Sequence, residues 1–127
     1  MNEPHNDRDV PQKEKGLRHL LHSTRYSFAG FVRLSREAAF RQELAAFVGV
    51  IIWHLAFGSS LWLFVVQGVA ALVLFAVEAL NTALEELLDH ISPDFSKTAK
   101  HGKDLGSFAV ACLLTANGLV ALAVFFS

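Results

Sequence analysis

The chain has 127 residues, enough for one domain. It is 53% hydrophobic with a mean hydropathy of +0.38, and only 18% of its residues are charged, against roughly 25% in soluble proteins. That balance excludes an ordinary water-soluble domain, a net charge of −1 gives no general attraction to nucleic acid, and a single cysteine, Cys112, excludes an intrachain disulfide.

Residues 1–15 are polar and read as a disordered tail, with no apolar core of the kind a secretory signal needs. From Gly16 to about Arg36, Leu17, Leu20, Leu21, Phe28, Phe31 and Val32 recur near helical spacing among basic and polar residues. The pattern predicts an amphipathic helix lying in a membrane interface. From Leu44 to Val77 no formally charged residue occurs. One helix over those residues would rise about 51 Å, well beyond a hydrocarbon core of roughly 30 Å. A turn at Gly58-Ser59-Ser60 therefore divides the stretch. The first span runs over about 38–57. The second runs over about 61–90 and ends as a polar extension. Trp53 and Trp62 flank the turn as interfacial tryptophans would. Ser92-Pro93-Asp94 stops the second helix, a polar loop covers 92–103, and Asp104 or a neighbour opens a third span over about 105–126.

All 11 Lys and Arg lie outside the apolar runs, in the N-terminal segment and in the loop after the second span. The positive-inside bias predicts that both segments, and the N-terminus, are cytoplasmic. The tight turn and the C-terminus then face the periplasm. Three spans enclose little interior, so polar groups at membrane depth call for a homo-oligomer. The expected fold is all-α, with a surface helix, three transmembrane helices and residues 16–127 as a single domain.

The chemistry-bearing residues gather at the cytoplasmic ends. Glu78, Asn81, Glu85 and Asp89 fall within about 80° of one another on a helix. Glu78 directly follows an apolar run, and a carboxylate at membrane depth is expensive unless it is used. Glu37 to Glu43 precedes the first span, where Glu37 and Arg41 also have the spacing of a local ion pair. Lys103 to Ser107 opens the third span. Glu86 and Asp89 suit a solvated helix extension. Carboxylates, an amide and a lysine at one depth can hold Mg²⁺, neutralise phosphates and accept a proton from a hydroxyl. The chain has no Walker loop or protein-kinase motif, and its six histidines form no zinc pattern. On the residues alone, an ion or proton channel using Glu78 and a non-catalytic scaffold remain alternatives to a phosphotransferase.

Three strings in order carry a resemblance: Glu37-Ala-Ala-Phe-Arg-Gln-Glu43, Val77-Glu78-Ala-Leu-Asn81-Thr-Ala-Leu-Glu85, and Lys103-Asp104-Leu-Gly-Ser107. Over about Gly16–Phe126 the chain resembles the prokaryotic diacylglycerol kinase family. The resemblance implies a homotrimer with active sites between subunits, using Mg²⁺ and ATP. It implies Glu78 as the general base with Asn81 beside it, and Glu37 and Glu85 as the pair that holds Mg-ATP. It further implies nucleotide contacts from Tyr26, Asp94, Phe95, Ser96, Lys103 and Asp104. The lipid site would be lined by Ala39, Phe40, Arg41, Gln42, Glu43, Glu78 and Ser107. Two positions depart from the family pattern: His19, beside Arg18, stands where relatives carry an arginine, and Tyr26 lies one residue closer to Glu37. The substrate branch implied is diacylglycerol, converted to phosphatidic acid by in-line transfer, with undecaprenol as the alternative lipid alcohol.

Overall fold

The computed structural model describes residues 15–127. Apart from Lys15, the tail expected over 1–15 lies outside the described residues. Those residues are all helical or connecting, with no strand among them: α1 is Leu17–Leu34, α2 Ala38–Ala56, α3 Leu61–Ile91 and α4 Lys97–Leu122, followed by a 3₁₀ turn at Ala123–Phe126. Two compact units divide the chain, Met1–Val32 and Arg33–Ser127.

In the first unit, Gly16 takes φ +80, a conformation open to glycine, and its carbonyl accepts from the Leu20 amide as α1 begins. Leu17, Leu20, Leu21, Phe28 and Phe31 form an exposed apolar stripe. Such a stripe stays uncovered in water only at a cost, and an interfacial helix lays it into lipid.

In the second unit, three helices, α2, α3 and the stretch Lys97–Phe126, are long and apolar enough to cross a membrane. Helix α2 closes on Gly58, whose φ of +64 makes the left-handed turn, while the Ser60 side chain caps α3 by accepting from the Leu63 amide. At 31 residues α3 is about 46 Å long, so its last turns extend past a roughly 30 Å hydrocarbon core.

The last helix begins earlier than the sequence suggested. The polar loop expected over 92–103 shrinks to 92–96, and α4 starts at Lys97 rather than near Asp104. Ser96 is the cap, accepting from the Ala99 amide at 3.0 Å. Lys100 pairs with Asp104 at 2.5 Å across one turn, and Lys103 pairs with Asp89 on α3. A Cβ at Gly102 would sit 2.8 Å from Leu88 Cδ1, so α4 presses closely on the end of α3 there. Capping and this packing make helical a segment whose composition reads as a loop.

Helices α3 and α4 share the most extensive contact, and α2 lies more lightly against both. Between α2 and α3, Phe75 takes the rings of Phe40 and Phe47 edge-on at 5.3 and 5.9 Å. Few large apolar side chains are buried, and most of the spans' outer surface is apolar and exposed, as lipid-facing helices require.

Candidate active site

A cavity of about 460 Å³ opens between α2, α3 and α4. Helix α2 contributes Ala39, Gln42, Glu43 and Ala46, with Glu37 just before its first residue. Helix α3 contributes Glu78, Asn81, Thr82 and Glu85, which recur on one face. Helix α4 contributes Ser107, Val110 and Leu114. Acidic and amide groups thus share a cavity with apolar walls.

Two carboxyls are buried here, Glu78 at 6% and Glu43 at 8% exposure. Glu43 Oε2 has no hydrogen-bond partner. Asn81 Nδ2 donates to Glu85 Oε1 at 3.1 Å, while Asn81 Oδ1 is buried and unpartnered. That amide fits only because residue 106 is glycine, where a Cβ would lie 1.9 Å from Asn81 Oδ1. Glu43 and Asn81 both line the cavity, and orphaned buried polar atoms cost stability.

At the rim, Arg33 donates to Glu37 Oε1 at 2.6 Å and also pairs with Glu86. The hydrogen bond to Glu37 and the charge of Glu86 hold the Arg33 guanidinium above its ordinary pKa, against a smaller opposing effect of burial. Glu37 is therefore already oriented by a cation in the same chain.

Among the described residues, no group of three or more His, Cys, Asp or Glu side chains is arranged to hold a metal ion. Glu37 and Glu85 both line the cavity, with Glu43 and Glu78. Two carboxylates suit Mg²⁺, which usually binds one or two of them and takes its remaining ligands from phosphates and water. The donor set fits that mode and no all-protein cage.

The residues singled out from sequence separate into three places. Glu37, Ala39, Gln42, Glu43, Glu78, Asn81, Glu85 and Ser107 meet in the one cavity. Asp94, Phe95, Ser96, Lys103 and Asp104 line a second cavity of about 380 Å³, together with Asp89 and Lys100. Lys103 and Asp104, adjacent in sequence, take different partners there. Phe40 turns away into the aromatic core, and Arg41 donates to the carbonyls of Arg36 at 2.6 Å and Ser35 at 3.3 Å; neither lines the cavity. Consecutive helical residues point about 100° apart, so an unbroken run from 39 to 43 cannot all face one site. Tyr26 lies on α1 in the first unit, exposed, with its ring edge-on to His22.

Thr82, Ala46, Val110 and Leu114 went unnoticed in the sequence, although Thr82 follows Glu78 by one helical turn. His54 is fully buried, with Nδ1 2.7 Å from Ser59 Oγ and Nε2 3.2 Å from Gln67 Oε1.

The model of the family described as prokaryotic diacylglycerol kinase matches residues 25–125. A diacylglycerol kinase of Sinorhizobium is 44% identical over 110 residues, which cover 87% of this chain and 80% of the relative. A Pseudomonas aeruginosa diacylglycerol kinase is 37% identical over 109 residues, 80% of this chain and 84% of the relative. One from Haemophilus influenzae is 33% identical over 111 residues, 85% and 92% respectively.

Proposed function

The chain belongs to the prokaryotic diacylglycerol kinase family, and we propose that it moves the γ-phosphate of ATP onto the hydroxyl of diacylglycerol at the cytoplasmic face of a bacterial inner membrane. The observation that carries this reading is the buried carboxyl of Glu78, in a cavity shared with Glu37 and Glu85 at the boundary of an apolar span. The two substrates live in different phases, so transfer must take place at that boundary.

In this reading Glu78 accepts the proton of the lipid hydroxyl as its oxygen forms the new bond to phosphorus and the bond to the ADP leaving oxygen breaks. Glu37 and Glu85 would hold Mg²⁺, which when bound neutralises charge developing on the phosphates. Asn81 fixes Glu85 through its amide hydrogen bond. Lys103, Asp104 and Asp94 to Ser96, gathered in the neighbouring cavity, take the nucleotide. Ala39, Gln42, Glu43 and Ser107 receive the glycerol end of the lipid, while Phe40 and Arg41 support the entrance of α2. The N-terminus is cytoplasmic and the C-terminus periplasmic. Three spans enclose little interior for polar groups at membrane depth, so in this reading the chain works as a homo-oligomer, a homotrimer.

Purified protein with Mg-ATP and diacylglycerol in mixed micelles should form phosphatidic acid. An assay run side by side with undecaprenol tests the lipid class. Faster turnover of undecaprenol would replace the substrate proposed here, and no turnover of either would remove the kinase reading.

A further inference from the structure

The active-site cavity does not end at its polar residues. Glu43, Ala46 and Leu114 also line a third cavity, of about 200 Å³, that continues between the same three helices. Its walls are apolar, chiefly Phe47, Val50, Leu74 and Phe75. Gly118 of α4 lines it too, and a Cβ built there meets nothing within 4 Å.

Its far end is polar. Gln67, 1% exposed, and Asn117 both reach it. Asn117 Nδ2 donates to the carbonyls of Ala70 at 3.1 Å and Leu113 at 2.9 Å. Its Oδ1 therefore accepts, from Gln67 Nε2 at 2.9 Å. Gln67 Oε1 then accepts from His54 Nε2, which leaves Nδ1 to accept from the Ser59 hydroxyl in the neutral ring. Every link is anchored on its neighbour, so hydrocarbon cannot push in without stranding buried polar groups.

From these observations we infer that this apolar cavity receives one acyl chain of the lipid substrate, and that the Gln67–Asn117 pair is the floor that limits its length. Gln67 lies 11 residues before Glu78 on α3, so the floor is about 16 Å below the proposed base. A chain that reaches the floor fills the apolar walls. A longer one must fold back or leave the cavity. This inference rests on the lipid-kinase reading and names a specificity device within that site.

The test compares kcat/KM for dihexanoyl-, didecanoyl-, dimyristoyl- and dioleoylglycerol in identical mixed micelles. Gly118→Leu fills the cavity from an open position and should shift the preference to shorter chains, with the dioleoyl-to-dihexanoyl ratio falling about tenfold. Gln67→Ala lowers the floor and should shift it to longer chains. Leu72→Phe, on the exposed face of α3, should leave the ratio as in the unaltered enzyme. Gln67→Ala also breaks hydrogen bonds; if it fails to fold, Gly118→Leu alone decides. An unshifted preference in Gly118→Leu overturns the inference. An unshifted preference joined to a changed oligomeric size gives the cavity to a second copy of the chain and overturns it equally. Absence of turnover by the unaltered enzyme at every chain length fails the kinase reading itself.

Discussion

The two ends of the α2–α4 bundle treat buried polar groups in opposite ways. Near the turn at Gly58, His54, Ser59, Gln67 and Asn117 form one connected chain of hydrogen bonds, and Trp53 Nε1 donates to the Ala121 carbonyl at 3.0 Å. At the acidic end, Glu43 Oε2 and Asn81 Oδ1 are buried with no partner, and Glu78 is buried beside them. A satisfied network holds helices together, whereas an unsatisfied one waits for a ligand. The contrast separates an end whose buried polar groups are satisfied within the chain from an end where two are not.

Glu78→Gln should break this contrast most sharply. Turnover should fall by roughly 10²–10⁴-fold as the proton acceptor is lost, while thermal stability stays level or rises because a buried carboxyl has been removed. A variant that keeps normal turnover would take Glu78 out of the proton transfer. Gly106→Ala should come next. Its Cβ would press on Asn81 Oδ1, displacing the amide that holds Glu85. An activity loss on the order of 10²-fold is expected, with about 1–3 kcal/mol of destabilisation measured by unfolding in detergent. Unimpaired Gly106→Ala would mean that the Asn81–Glu85 geometry is dispensable.

At the other end, stability should suffer first. His54→Ala removes two hydrogen bonds and strands Gln67 Oε1, for a loss of about 2 kcal/mol. Trp53→Phe keeps a ring against Phe57 and Phe125 but drops the indole donor. It should cost about 0.6–1 kcal/mol and leave phosphatidic acid formation unchanged. Equal activity losses at the two ends would erase the distinction drawn here.

Much of the acidic end was readable because helical periodicity is local. Glu78, Asn81 and Glu85 share a face by their spacing alone, and α3 puts all three into one cavity. The approach of α2 was harder to read. A five-residue run at its start was expected to line the lipid site, yet Phe40 packs on Phe75 and Arg41 turns to backbone carbonyls. The hydrogen-bonded end was almost invisible. Gln67 and Asn117 are single polar residues in apolar runs 50 positions apart, and nothing local says that they meet.

By itself the sequence determined the all-helical class, the apolar lengths of the spans, the turn at Gly58 and the acidic face of α3, because each depends on spacing within one segment. Only the tertiary structure decided where α4 begins, which residues of α2 face the cavity, that Gly106 makes room for Asn81, and that His54, Gln67 and Asn117 join. Those features depend on which surfaces come within a few ångströms of one another, and close packing, unlike periodicity, is not written in any single stretch of chain.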